Sequence, residues 1–400
     1  MARAQIEMPE FLADPFGSLE RARLEGWLAD FGIGVGAVTY GDVRTLLTDT
    51  RLRASFTDFL HGFGITSGPF YEWMEMSPLN QDGPQHLRWR ALMSRTFTPR
   101  SVERIRPFLR DAAHELIDAF ADRGECEFVA EFADAYPSLG LCELIGVPKD
   151  DRARFRVWSN IVGLGFSPME LLERIGEVDD ALSHLLAYCG ELAETRRADP
   201  RDDLVTRIAQ AAHDDGWTAR ETRGFIAGLV FAGHETTKNQ LGWAIAVLSK
   251  HPDVWDAVAA GRVGVADVVE EVLRFRSAVT SVGRTVAAPL EHRGERLQQG
   301  TTLLLSLWGA DHDGAAYARP ETFDVAGHQD TPHMAFGYGA HHCLGAALAR
   351  AELQDGLAAL AVRLTCPSVG EDTAWKPNAG ITGPVRLPIT FRARRDSERA

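Results

Sequence analysis

Lysine is scarce in this chain of 400 residues: only Lys149, Lys238, Lys250 and Lys376 occur, and every other basic residue is an arginine. Acidic residues outnumber basic ones by 56 to 42, which leaves a formal net charge of −14. A chain that acidic lacks the overall field that nucleic-acid binding needs, so nucleic acid is excluded as a partner. Cysteine is sparse as well. Cys126, Cys142, Cys189, Cys343 and Cys366 are odd in number and widely spaced, and no Cys-x-x-Cys occurs. This excludes a disulfide framework and a cysteine-rich zinc site, and a reducing cytoplasm is the expected setting. The segment Met1–Glu10 holds no apolar run of signal length, and nowhere do 18 uncharged apolar residues follow one another. No membrane span is expected, and the reading is a soluble cytoplasmic protein.

What is present is ordinary for a globular enzyme. Hydrophobic residues make up 45% and charged residues 24%, enough for a large core. Helical periodicity dominates: amphipathic patterns run over 88–97, 102–123, 148–158 and 171–197. The clearest runs over 218–250, where Thr218 and Glu221 form a capping box and His251-Pro252 ends the pattern. Strand patterns are confined to 37–40, 282–287, 290–292, 295–297, 302–307 and 385–391, with Gly294 and Gly300 as turns. The expected fold is therefore mainly α with a small β-rich lobe, one domain over 1–400. The smaller lobe draws on the N-terminal region, on about 282–307 and on the C-terminal hairpin. The sheet around 27–39 is short and glycine-rich, so its first hairpin is expected to be curtailed.

The most informative stretch runs from His333 to Arg350. A loop with Gly337 and Gly339 leads to Cys343, and a helical pattern (Leu344, Ala347, Leu348, Ala351) follows at once. A cysteine at a helix start meets unpaired backbone N–H groups and the positive end of the dipole, both of which favour thiolate. Flanking glycines let the backbone close in on the sulfur and leave one side open for something flat. A lone thiolate in such a loop suits a heme iron. Most cysteines of a cytoplasmic protein are buried and structural, and that reading is kept for the other four.

The stretch Phe-Gly-x-Gly-x-His-x-Cys-x-Gly, Phe336 to Gly345, resembles the heme-binding signature of the cytochrome P450 family of heme-thiolate monooxygenases at every fixed position. Ala232-Gly233-His234-Glu235-Thr236-Thr237 is similar to the family's dioxygen-activating motif, and Glu271-Val-Leu-Arg274 to its Glu-x-x-Arg pair. His86-Leu-Arg-Trp-Arg90 resembles the propionate-binding segment, and Arg284 falls where another propionate partner stands. The resemblance implies the cytochrome P450 fold, with heme b (iron protoporphyrin IX) ligated by Cys343. It further implies that Phe336, Gly337, Gly345, Ala232 and Gly233 lie along the heme, with His86, Arg90, Arg284 and His341 near its propionates. Glu235 and Thr236 become the catalytic proton-handling pair, and Glu271 with Arg274 a structural pair behind the cysteine loop.

The residues carry readings of their own. Gly233 inside a long helix costs about 1 kcal/mol relative to alanine, which points to a close approach there. Thr236 and Thr237 can each bond back to the carbonyls of Ala232 and Gly233 and bend the helix. Glu271 and Arg274, at i and i+3, would alone be an ordinary surface pair.

Three positions depart from the family pattern. Thr322 stands where an arginine usually completes the Glu-x-x-Arg pair, with Arg319 or His328 as substitutes. Asp311-His312 replaces an Asn-Arg step, and Ser277-Ala278 replaces prolines.

The expected function is insertion of one oxygen atom from dioxygen into a small, largely apolar organic molecule, as a tailoring step of bacterial secondary metabolism. Alternatives are oxidative coupling or desaturation by the same heme-thiolate chemistry, and a non-catalytic heme-binding protein. A Cys–His hydrolase using Cys343 with His341 or His342 is disfavoured, because no third group orients such a pair. The length leaves no room for a flavin or iron–sulfur module, so electrons are expected from a ferredoxin or flavodoxin with its reductase. Between Arg88 and Arg110 lie seven arginines against one acid, Glu103. Two or more of Arg95, Arg100, Arg104 and Arg106 of this segment are expected to form the docking patch for that partner. The aromatic residues Phe63, Phe70, Tyr71 and Trp73 suit either a pocket for a bulky apolar substrate or plain core packing.

Overall fold

Thr218 accepts from the backbone of Glu221 while the Glu221 side chain accepts from the backbone of Thr218, and this capping box starts the helix at the centre of the molecule. The computed structural model describes residues 3–327 and 330–394. Its helices that bear on the site are α1 (Gly83–Thr96), α2 (Pro99–Asp118), α3 (Ala135–Ile145), α4 (Arg152–Gly163), α5 (Pro168–Ala198), α6 (Leu204–Asp214), α7 (Ala219–Leu248), α8 (Val265–Phe275) and α9 (Ala346–Arg363). At 30 residues α7 is about 45 Å long and crosses the molecule. It packs against α3, α4, α5 and α9, and its buried positions run along nearly its whole length, from Phe225 to Leu248.

The large core is helical and joins Phe225, Ile226 and Val230 of α7 with Leu141 of α3, Leu182 and Leu185 of α5, and Leu348, Leu357 and Leu360 of α9. A second core lies under the main sheet, built from Val35, Ala37, Leu52, Val286, Leu303 and Leu305. That sheet has six strands in the order Ala4–Gln5, Leu28–Asp30, Val35–Ala37, Thr302–Ser306, Ser281–Val286, Leu52–Ala54. The first hairpin, Leu28–Asp30 against Val35–Ala37, has only three residues in each strand, as the glycine-rich sequence implied. Near the C-terminus, Pro388–Thr390 pairs with both Ser368–Val369 and Glu125–Glu127, and Ala374–Trp375 pairs with Pro384–Arg386.

The fold is thus mainly α with small sheets, and most element boundaries fall within a turn of the sequence reading. The pattern over 148–158 resolves into a short 3-10 turn at Lys149–Asp151 followed by α4, which extends to Gly163. The pattern over 102–123 stops earlier, because α2 ends at Asp118 and a separate turn covers Ala121–Arg123.

Candidate active site

Cys343 sits at the end of a tight loop, two residues ahead of Gly345, which caps α9. The Cys343 N–H donates to the carbonyl of Phe336 at 2.9 Å, and the Gly337 N–H donates to that of Met334 at 2.7 Å. Gly337 and Gly339 both have positive φ, 67° and 73°. At Gly339 a Cβ would also lie 2.9 Å from the carbonyl oxygen of Leu47, so no other residue fits. The thiol of Cys343 is pushed up by burial, while the N–H groups of Gly345 and Ala346 and the guanidinium groups of Arg90 and Arg350 pull the other way. Cys343 is itself exposed, so the loop leaves an opening on one side of it. Ala232, midway along the buried helix α7, is exposed in the same manner.

Basic groups gather beside this opening. His86 on α1 is buried and stacks on His341 of the cysteine loop, with ring centroids 4.1 Å apart. Burial, then the charges of His341 and Arg90, push His86 down to about 4. Arg90, one turn further along α1, donates from Nη1 to the carbonyl of His342 at 2.7 Å. Arg284, buried in the strand Ser281–Val286, donates to the carbonyl of Gly283 at 2.8 Å. The acid among them is Asp82, whose Oδ1 lies 2.9 Å from His341 Nε2 and which also supports the charge of Arg284. One buried arginine, one half-buried arginine and two histidines around a single carboxylate form a donor set short of anions. A planar group with two carboxylates, bound through its metal to a cysteine sulfur, fits that set.

On the facing helix, Thr236 Oγ1 donates to the carbonyl of Ala232 at 2.7 Å. The hydroxyl of Thr237 faces the carboxyl of Glu352 on α9 and favours its charged form. Glu352 is fully buried, and burial pushes its carboxyl well above the ordinary range. The close approach at Gly233 is a side chain of the protein itself: a Cβ there would lie 3.1 Å from Leu141 Cδ1 on α3. Glycine at 233 thus serves helix packing against α3.

Glu235 is buried and its carboxylate is ion-paired twice, to Lys238 Nζ at 2.5 Å and to Lys376 Nζ. Asn239 Nδ2 donates to Oε1 at 2.9 Å. Burial opposes the charge, but the two lysines outweigh it and hold the carboxyl down to about 2. Lys238 lies three residues along the same helix, whereas Lys376 is 141 positions away.

Glu271 and Arg274 form a bidentate pair with both N···O distances at 2.7 Å, and both are buried. Arg274 also donates to the carbonyls of Asp311, Pro320 and Thr322, each at 2.9 Å, and Glu271 accepts from the Asp324 N–H. Backbone carbonyls, Thr322 among them, thus take the remaining donors of Arg274. Arg319 does not substitute for the missing arginine: it pairs with Asp324 at the surface. His328 lies outside the described residues. Behind the cysteine loop, Glu270 holds Arg350 in a fork at 2.6 and 2.8 Å, and the Arg350 guanidinium lies 4.6 Å from the centroid of the Phe336 ring.

Two further sequence readings meet the structure here. The arginine-rich segment is not a free basic surface. Arg88 pairs with Glu221, Arg95 with Asp215, Arg104 with Asp202 and Arg106 with Asp355. The acids come from the flanks of α6, from the first turn of α7 and from α9, so a local excess in the sequence is offset by tertiary neighbours. Phe70 and Trp73 are core residues: Phe70 packs on Phe166, and Trp73 Nε1 donates to the carbonyl of Gly224 at 2.9 Å. Phe63 remains exposed.

Comparison with known proteins places this geometry. The family model for cytochrome P450 matches residues 156–260 and 265–367. The luteothin monooxygenase of Streptomyces thioluteus is 32% identical over 373 residues, covering 93% of this chain and 92% of that protein. The mycinamicin IV hydroxylase/epoxidase of Micromonospora griseorubida is 34% identical over 364 residues, 88% of each chain. The solved cytochrome P450 CYP109Q5 from Chondromyces apiculatus superposes with a TM-score of 0.87 at 29% identity, covering 98% of this chain and 99% of that one. The chain belongs to the cytochrome P450 family. It is a P450 monooxygenase, an oxidoreductase with a heme-thiolate cofactor that needs a redox partner and a small-molecule substrate. Among the described residues, no helix is long and apolar enough to cross a membrane.

Proposed function

We propose that this P450 inserts one oxygen atom from dioxygen into a small, largely apolar molecule of bacterial secondary metabolism, in the cytoplasm, with electrons from a ferredoxin or flavodoxin and its reductase. The observation that carries the reading is the exposed Cys343 beside Arg90, Arg284, His86 and His341, with Asp82 as the acid among them. In this reading the group held there is heme b. Cys343 ligates its iron, and His86, Arg90, Arg284 and His341 hold its carboxylates. When bound, it supplies the iron at which dioxygen is reduced.

The chain's own residues then have defined tasks. Arg90 ties α1 to the residue before the ligand, so the loop keeps its shape. Gly345 and Ala346 aim N–H groups at the sulfur and temper its charge. Ala232, the small exposed residue of α7, leaves that stretch of the helix uncovered. Thr236 presents its hydroxyl oxygen there as a proton donor and acceptor, and Glu235 supplies protons from the interior. The apolar neighbours Phe166 and Phe231, stacked at 3.8 Å, support an apolar substrate.

The relatives' names support the metabolic setting, because luteothin monooxygenase and mycinamicin IV hydroxylase/epoxidase both come from actinomycete bacteria. Five free cysteines fit a reducing compartment. The test is the absorption spectrum of the reduced, carbon-monoxide-treated protein, followed by incubation with a ferredoxin or flavodoxin system under labelled dioxygen. One labelled oxygen atom in the product is expected. Product without label would replace insertion by coupling or desaturation.

A further inference from the structure

Two of the four lysines of the chain meet on one buried carboxylate, that of Glu235. Their situations differ. Lys238, three residues along the same helix, has other partners: its Nζ donates to Asn160 Oδ1 at 2.8 Å and lies 4.0 Å from Asp134 Oδ1. Asp134 in turn lies 3.2 Å from His234 Nε2 and 3.5 Å from Arg156 Nε. Lys376 comes from a distant loop, between the strands Ala374–Trp375 and Pro384–Arg386, and Glu235 is the sole partner of its ammonium among the described residues. The third wall of the site is α4, where a Cβ at Gly163 would lie 3.1 Å from Glu235 Cδ. The carboxylate is therefore confined by α4 on one side and tethered by Lys376 on another.

The loop that carries Lys376 is knit to a second segment. The Lys376 N–H donates to the carbonyl of Gly383 at 2.9 Å, that of Thr382 to Ala278 at 2.8 Å, and that of Thr280 to Gly380 at 3.0 Å. Val279 and Ile381 form a β-bridge. Gly380, with φ of +67°, lies so close to Phe166 that a Cβ would be 3.0 Å from its carbonyl oxygen. Val279 and Ile381 are partly buried and apolar, and both abut the hydrophobic cores. The backbone that holds Lys376 is thereby fixed to the segment 278–280.

We propose that Lys376 is a positioning residue for Glu235, and that through the Val279–Ile381 bridge it links substrate binding to the orientation and charge of that carboxylate. The proposal rests on the reading of Glu235 as the proton-handling acid. In the resting protein the tether keeps Glu235 ionised and turned to the loop. With the tether loosened, Lys238 is shared between two acids, Glu235 and Asp134, and Glu235 takes up a proton more readily and is free to turn.

The experiment uses the heme-loaded protein and the variants Lys376→Gln, Lys376→Arg and Glu235→Gln, each checked for folding by thermal melting. Infrared difference spectra against Glu235→Gln isolate the protonated-carboxyl band of Glu235. In the parent protein this band is expected only in strong acid. In Lys376→Gln it is expected at a pH higher by one or more units, and Lys376→Arg should restore the parent behaviour. With phenylimidazole as the pocket-filling probe, the band should shift upward in pH in the parent and stay where it is in Lys376→Gln. During turnover, Lys376→Gln should raise the share of reductant lost to hydrogen peroxide several-fold, and Lys376→Arg should not.

An unchanged titration in Lys376→Gln overturns the proposal, as does a probe-induced shift of equal size in parent and variant. If Lys376→Gln fails to fold, Lys376→Arg decides: a folded arginine variant whose Glu235 no longer responds to the probe contradicts a role based on charge. Should Glu235→Gln leave product per reductant unchanged, the reading of Glu235 as a proton donor fails, whatever the infrared titration of the lysine variants shows.

Discussion

Arg90 Nη1 donates to the carbonyl oxygen of His342, 2.7 Å away and 252 positions along the chain. The bond joins helix α1 to the residue directly before Cys343, so the same side chain bears on the ligand loop and on the cation cluster with His86. A charged hydrogen bond of this kind is worth about 1.5–3 kcal/mol. Arg90→Ala is therefore expected to weaken heme retention on the order of 10- to 100-fold, measured as transfer of heme to apomyoglobin. Arg90→Lys, a point charge without the planar fork, should fall between.

The hydroxyl of Thr236 is held by the carbonyl of Ala232 beside the opening that Cys343 borders. Thr236→Ala should keep consuming reductant and dioxygen while several-fold more of the reductant ends as hydrogen peroxide. Thr236→Ser, which keeps the hydroxyl, should stay coupled. The measurement is product formed per reductant consumed.

Asp311 carries a pH dependence whose sign is fixed. It is fully buried, it accepts from the Met334 N–H at 2.7 Å at the start of the cysteine loop, and burial raises its carboxyl to about 7, with His333, the Met334 N–H, Arg274 and Tyr317 opposing. Between its ordinary value near 3.8 and about 7, the folded protein keeps a proton that the unfolded chain has released. Stability from this group is full at low pH, falls as pH rises through that window, and levels off above it. At about 1.4 kcal/mol per pH unit the fall is on the order of 4 kcal/mol. Asp311→Asn retains an acceptor for Met334, so its denaturant stability relative to the parent should improve steadily from about pH 4 to 7.

Much of this arrangement was legible in the sequence, and the reason is locality. The capping box at Thr218, the turn at Gly294 between two three-residue strands, and the loop from Phe336 to Gly345 are each set by neighbours within a few residues. The Thr236 bond to Ala232 follows from helical geometry alone. What was not legible depends on partners brought by the fold. The excess of arginine between 88 and 110 vanished as a surface property because Asp202, Asp215 and Glu221 fold against it. The buried carboxyl of Glu352 on α9, which Thr237 faces, comes from 115 positions along the chain and carries no local signal. Gly233 signalled a close approach correctly, but the sequence could not name Leu141 as what approaches.

The compensated arginines alter what docking variants should show. Arg95 and Arg104 are about half exposed and bound to Asp215 and Asp202. Surface pairs of this type contribute about 0–1 kcal/mol. Reversing both to Glu leaves those aspartates unpaired, so the local charge changes by more than the pairs themselves carried. Electron transfer from an acidic partner should slow and lose part of its salt dependence, while substrate binding stays constant; stopped-flow reduction at several salt concentrations reads both.

The central claim is that Cys343 is the iron ligand, and the carbon-monoxide difference spectrum of the reduced protein tests it most directly. The parent protein should show the strongly red-shifted Soret band of thiolate ligation, Cys343→Ala should lose it, and Cys126→Ala and Cys189→Ala, whose thiols burial pushes above the ordinary range, should keep it. Retention of that band in Cys343→Ala would contradict the account.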